Sequence, residues 1–392
     1  MKKALGDIKI VDLTQHLAGP FCTMLLADMG AEVIKIEPPW GDATRSSPMY
    51  PAIKGQNTYF MFVNRNKKSM VLNLKSEEGI EILKRLVKES DVVVENFRPG
   101  VMERLGIGYE ALKEINPGIV YASISGFGLN GPYVKRPSFD IVAQAMSGGI
   151  WLNSQEPRGL NSGPSFAPST LAGSPGDTVP GTFCALSVLA ALHHKNETGQ
   201  GQRIDVAQTN SLMTMTGLAF TRYLFTGATT KERASRESNL IHGVYEAKDG
   251  FVVLRAIREK GVGLLAETIG VDADKLEPSS ENLVEWLKVR TRAEILELLA
   301  EKIPCASVLT EEEVINDPNV KEQEMIVEKP HPLGFTYRAV ATGIKFSETP
   351  VSVELLPPLL GENTKEVLQR LGYDNGEIAR LVEEKVTATA GK

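Results

Sequence analysis

The sequence predicts an α/β protein: a parallel sheet covered by helices, with a smaller α+β domain in the second half of the chain. Two observations predict it. From residue 8 to residue 123, short apolar runs rich in β-branched residues alternate with stretches of helical periodicity, the signature of βαβ units. Past Gly227 the composition turns charged and short of apolar residues before strand-like and amphipathic segments resume.

In chain order, the apolar pattern predicts a strand at 8–13, a helix over 20–29, and strands at 32–36 and 70–74. A helix over 77–88 and strands at 91–94 and 119–123 follow. Two long apolar helices, 178–194 and 211–225, flank a strand at 203–207 that the Gly-containing turn TGQGQ (198–202) introduces. Further on come a strand at 251–256, two charged amphipathic helices within 283–302, and strand-like sequence over 334–346. A final pair of helices has Thr364 as its expected N-cap. The domain reading is therefore 1–225 for the first part of the large domain and 226–330 for the small α+β domain. Residues 331–392 return to pack on the large one.

Composition narrows the function classes. A formal net charge of -6 provides no broad attraction to nucleic acid or to an anionic membrane. No apolar run reaches the roughly 18 residues of a membrane span, and the opening MKKALGDIKIVDL has no apolar stretch of signal length. Cys22, Cys184 and Cys305 are odd in number and far apart, which fits buried free thiols in a reducing compartment, so a cytoplasmic location is expected. The first strand-to-helix loop, TQHLAGP (14–20), lacks G-x-G-x-x-G, and no phosphate-loop motif occurs anywhere. Nicotinamide, flavin and nucleotide phosphoryl chemistry are unsupported. His193 and His194 are adjacent on a helix and point to different faces, so no metal site is expected there.

One carboxylate stands out. Asp177 lies in GSPGDTVPG (173–181), a Gly/Pro-rich turn ahead of an apolar helix. Such a frame lets a ligand approach the backbone, and the helix offers unpaired N–H groups and a positive dipole end, so the carboxylate is expected to stay ionised. The same residue also reads as an ordinary N-cap or Asx-turn aspartate.

The chain resembles the family III CoA-transferases, the CaiB/BaiF group, from about residue 5 to residue 381. The resemblance rests on GAEVIKIEPPWGD (30–42), NRNKKSMVLNLKSEEG (64–79), ENFRPGVMERLGIGY (95–109), SGFGLNGPYVKRPSFD (125–140), TGQGQRIDV (198–206), IPCASVL (303–309) and PPLLGENT (357–364). It implies a Rossmann-like large domain, an interlocked-ring homodimer, and an aspartate nucleophile in G-x-x-x-D-x-x-x-G, which Asp177 fits. It implies acyl-CoA and a carboxylic acid as substrates, with CoA as substrate rather than a resident cofactor. It assigns CoA contacts to His16, Ala18, Leu72, Asn73, Lys75, Asn96, Phe97, Arg98 and Arg104, with Lys135 or Arg136 as further phosphate partners. Pro38 and Pro137 stand where relatives often carry a cation, so those contacts are expected to pass to Arg45 and Arg136.

Acyl specificity is expected from Leu17, Tyr59, Phe139, Trp151 and the segment 153–172, oxyanion donors from the amides after Asp177, and a lid from 238–243. Two other enzyme readings stand beside transfer: an α-methylacyl-CoA racemase-like isomerase and an intramolecular CoA-transfer isomerase. The racemase chemistry needs a proton-carrying partner before Asp140, where this chain has Phe139. A non-catalytic acyl-CoA-binding protein is the reading from another class.

Overall fold

The computed structural model describes residues 3–155, 169–229, 240–278 and 280–390. The chain divides into two compact units. One joins Met1–Ser147, Leu171–Met215 and Glu322–Lys392; the other joins Gly148–Thr170 and Thr216–Lys321. The longer segment of the second unit starts at Thr216, ahead of the composition shift, and ends at Lys321. The helix expected over 211–225 is two helices, Gln208–Met215 and Gly217–Thr226, and the division falls at the break between them. Gly217 stands at that break, where a glycine weakens helix continuation by about 1 kcal/mol relative to alanine.

The first unit is built on six strands: β1 (Lys9–Asp12), β2 (Glu32–Glu37), β3 (Lys67–Val71), β4 (Val92–Glu95), β5 (Val120–Ser125) and β6 (Arg203–Ala207). Their order is β3-β2-β1-β4-β5-β6, and every pairing is parallel. All six carboxyl ends therefore lie along one edge. Successive residues face opposite sides, so Val11, Ile34 and Val93 enter one apolar core while Ile10, Val33, Val92 and Val94 enter the other. Helix α1 (Ala18–Asp28) contributes Cys22 and Leu26 to the second core. Helix α2 (Glu77–Lys88) sends Ile82, Leu83, Leu86 and Val87 into the first. Helix α3 (Asp140–Met146) follows the loop after β5. Helix α4 (Pro175–Thr198) adds Cys184 and Val188 to the core that α1 shares. Helix α5 (Gln208–Met215) leaves the end of β6 directly.

Strand β3 sits earlier than the apolar pattern places it, because it contains two lysines. Lys67 is fully buried and pairs with Asp12 at 3.0 Å, while Lys68 bridges Glu32 and Glu366. Buried charges that are paired hide a strand from a hydrophobicity reading. Thr364 is not an N-cap: Asn363 precedes the helix Thr364–Arg370, and the Thr364 hydroxyl instead accepts from the Val71 amide at 3.1 Å. The carboxyl-terminal helices are thereby tied to the end of β3.

The second unit holds helix α6 (Gly217–Thr226) and a three-stranded sheet of order β9-β8-β7, with β7 (Leu240–Ala247), β8 (Gly250–Ile257) and β9 (Cys305–Ser307). Its core gathers Ile241, Leu254, Leu265, Leu283 and Leu299. The expected lid over 238–243 falls partly outside the described residues. Its remainder, 240–243, is strand: Gly243 pairs with Leu254 and Ile241 with Ala256 in an antiparallel ladder. Ladder hydrogen bonds hold that stretch in the sheet, so it is not a free loop.

Candidate active site

Because the sheet is wholly parallel, the loops after its strands gather at its carboxyl edge, where α/β proteins bind ligands at the point of strand-order reversal. Here the reversal lies between β1 and β4. Asn96 locks the two loops together, accepting from the Gln15 amide at 2.8 Å and donating to the Gln15 carbonyl at 2.7 Å. His16 next to that clamp takes a left-handed backbone, φ 65°, and its ring meets Phe139 edge-on at 5.7 Å. The edge is stiffened from beneath by buried ion pairs. Lys35 joins Asp42 at 2.8 Å and donates to the Thr14 carbonyl at 2.7 Å, and Lys67 holds Asp12. Asp12 is buried, yet these two lysines and its threonine hydrogen bonds hold its carboxyl well below the usual range.

Asp177 is the third residue of α4 and not a residue of a preceding turn. Pro175 opens the helix, a position that suits proline because its missing N–H has no intrahelical partner to lose. Ser174 before it is left-handed, φ 52°. The side chain of Asp177 is half-buried, and its Oδ1 accepts from Gln208 Nε2 at 2.6 Å. Gln208 is the first residue of α5 and is itself buried. Asp140 lies close by, its Oδ1 accepting the Gly176 amide at 2.7 Å while Gln144 donates to both of its oxygens.

The expectation of an ionised Asp177 is corrected. Burial, and then the charge of Asp140, push its pKa up to about 7 against the opposing hydrogen bond from Gln208. The helix end does not offset this, because its first amides are already engaged: Gly176 on Asp140, and both Asp177 and Thr178 on the Ser174 carbonyl. Those amides are not the open oxyanion donors that the sequence suggests. Tyr59 is held as the neutral phenol, its pKa raised well beyond the usual range by burial and by Asp177.

The other expected contacts fall into three groups. Arg98, Arg104, Lys135 and Arg136 are exposed, with the Arg136 guanidinium 3.9 Å from the centre of the Tyr133 ring. Lys75 is exposed too and holds its ammonium 5.8 Å from the ring centre of Trp40, which is 71% exposed. Leu17, Ala18 and Leu72 are buried, so only their backbones line the loops; Phe97 packs on the core. Asn73 works as a turn residue, accepting from the Lys75 amide at 3.1 Å, with its own amide on the Val386 carbonyl at 2.8 Å. Arg45 is engaged within the chain. It makes two 2.7 Å bonds to Glu37, donates to the Pro358 carbonyl, and lies over the Phe60 ring. Trp151 is exposed on the helix Gly149–Gln155 of the second unit, and residues 156–168 of the expected specificity segment lie outside the described residues.

The sequence also matches known proteins. The model of CoA-transferase family III matches residues 5–364. The chain belongs to that family. The succinyl-CoA:mesaconate CoA-transferase of Haloarcula marismortui is 36% identical over 394 residues, covering 95% of this chain and 98% of that protein. The formyl-CoA:oxalate CoA-transferase of Streptomyces coelicolor is 35% identical, covering 97% and 98%. The human succinyl-CoA:glutarate CoA-transferase is 32% identical, covering 97% and 89%. A crystal structure of a CaiB/BaiF family protein from Brucella suis superimposes with a TM-score of 0.81 at 29% identity, covering 95% of this chain and 100% of that one.

In this family III CoA-transferase, then, one edge of the sheet carries a carboxyl group with a raised pKa, an amide donor on one of its oxygens, a phenol and exposed cations. Gln208 and Glu95 escape sequence reasoning. Gln208 falls between the expected strand 203–207 and the expected helix from 211, and only the course of α5 turns it to Asp177. Glu95 ends β4, is pushed up to about 7 by burial, and accepts from the Phe97 amide at 2.8 Å.

Proposed function

We propose that this enzyme moves CoA between carboxylic acids through a covalent intermediate on Asp177. The observation that carries the proposal is one half-buried carboxyl group at the carboxyl edge of the sheet, gripped on a single oxygen by Gln208. Its ionised form attacks the thioester carbonyl, the C–S bond breaks, and CoA leaves as a thiolate from an aspartyl–acyl anhydride. The thiolate then attacks Cγ of Asp177, making an aspartyl-CoA thioester and releasing the first acid as its carboxylate. An acceptor carboxylate reverses the two steps and leaves with CoA. Relatives named for mesaconate, oxalate and glutarate support a short dicarboxylate as the acceptor class. Phe139, where a racemase would need a proton carrier, supports transfer over isomerisation.

The test is incubation with succinyl-CoA and formyl-CoA, borohydride reduction, and peptide mapping. Reduction at Asp177 is the expected result, with transfer abolished and CoA binding kept in Asp177→Ala. Solvent deuterium at an acyl α-carbon without any adduct would overturn the reading. The working form we propose is a homodimer, supported by helix α6, none of whose residues is buried within the chain.

A further inference from the structure

We infer that Gln208 is a catalytic residue, the oxyanion donor for the steps in which Asp177 is itself the acyl group. This rests on the covalent reading above and goes beyond it in assigning donors to separate steps. When Asp177 attacks a thioester, negative charge develops on the substrate's oxygen. When the CoA thiolate next attacks Cγ of Asp177, the charge develops on the carboxyl oxygen that stayed behind. Gln208 Nε2 already lies 2.6 Å from Oδ1, within the distance an oxyanion donor requires. Oδ2 accepts no hydrogen bond among the described residues, which leaves it as the attacking oxygen. Once Oδ2 has bonded to the acyl carbon, Oδ1 becomes the carbonyl oxygen of the aspartyl half, still facing Gln208.

Among the described residues no other donor reaches either oxygen of Asp177. The amides of Gly176, Asp177 and Thr178 are engaged with Asp140 and with the Ser174 carbonyl. Gln208 is 6% exposed, so its amide acts where water screens it little. In the tetrahedral adduct the thiolate sulfur is bonded to Cγ, Oδ1 carries the charge, and the Cγ–Oδ2 bond breaks to release the acid. The acceptor's attack on the aspartyl-CoA thioester passes through the same oxyanion, with CoA thiolate as the leaving group. One donor thus serves both halves of the reaction.

The experiment compares wild type with Gln208→Met, which keeps size and removes the donor, by rapid quench into borohydride after mixing with succinyl-CoA or formyl-CoA. Gln208→Glu, tested at pH 8, is the second variant should the first fail to fold. The expected result is formation of the aspartyl-CoA thioester slowed about 100-fold, free CoA thiol accumulating ahead of it, and an unchanged Kd for CoA. The acid limb of the rate profile should also move to higher pH, since the lost hydrogen bond favoured the charged carboxylate. A thioester formed at the wild-type rate overturns the assignment, as does a parallel loss of CoA affinity and rate. No adduct on wild-type Asp177 with either donor overturns the covalent reading itself, and this assignment with it.

Discussion

Burial and the charge of Asp140 push the Asp177 carboxyl toward the neutral range. With a pKa pushed from 3.8 up to about 7, half of the resting sites hold the proton at neutral pH, and only the ionised fraction can attack. The rate of the first acyl transfer should therefore climb through pH 7 and level off above about 8. Glu95 titrates in the same range, so the limb is assigned by Glu95→Gln, which should leave it in place. The same shift has a stability consequence of definite sign. Below pH 3.8 folded and unfolded states both hold the proton and Asp177 contributes nothing. Between there and pH 7 the unfolded state loses its proton first, so stability falls as pH rises, and the full penalty stands above 7. Asp177→Asn should therefore stabilise the protein at pH 8 by about 1–2 kcal/mol, discounted for partial exposure, and not at pH 4. Urea unfolding at the two pH values checks this. The Gly/Pro frame singled out Asp177 as a candidate, while suiting an N-cap aspartate as well; its raised pKa was not legible, because Asp140 lies 37 positions earlier in the chain, and only the packing of α3 on α4 brings the two together.

Helices α1 and α4 form the element pair that joins Asp177, the proposed nucleophile, to the loop of the proposed CoA contacts. Gly181, one turn after Asp177, faces the carbonyl of Ala18, and a Cβ there would lie 2.6 Å from that oxygen. Ala18 opens α1 at the end of the loop that contains His16 and Leu17. Gly181→Ala must therefore push the two helices apart or displace the loop. It should destabilise the protein by about 1–3 kcal/mol and weaken CoA binding, read by denaturant unfolding and by CoA titration. Unfolding cost without a change in CoA affinity would show that the loop moves independently of α4. Element type was largely legible: α2, with its amphipathic spacing and Ser76 cap, lies where the pattern places it. Elements shifted wherever charge or proline disguised them. Strand β3 begins at buried Lys67, and α4 begins at Pro175, inside what reads as a turn.

At the scale of the molecule, exposed apolar side chains among the described residues recur along α6. Leu218, Leu224 and Phe225 are 84%, 79% and 85% exposed. Apolar side chains exposed along one ten-residue helix support the homodimer proposed above. Sedimentation should give twice the chain mass of 42.7 kDa. Replacing Leu224 and Phe225 with glutamate should lower that mass toward the monomer or leave the protein insoluble, and a wild-type monomer at micromolar concentration would refute the dimer. The composition shift lies past Gly227, whereas the compact units part at Thr216, where the break beside Gly217 interrupts no apolar pattern.

Local and ordered signals are what the sequence alone determined: alternating strand and helix periods, the Gly/Pro frame around Asp177, and the motif series that marks the family. These survive because each depends on neighbours within a few residues, or on motifs whose order along the chain is itself the information. Tertiary structure alone decided which groups share an environment. It buried Lys67 against Asp12, tied Arg45 to Glu37, drew Asp140 close enough to raise the Asp177 pKa, and aimed Gln208 at one oxygen of that carboxylate. Charge interactions and hydrogen bonds act through space over a few ångströms, and a parallel sheet with long crossovers brings together residues that the chain holds far apart.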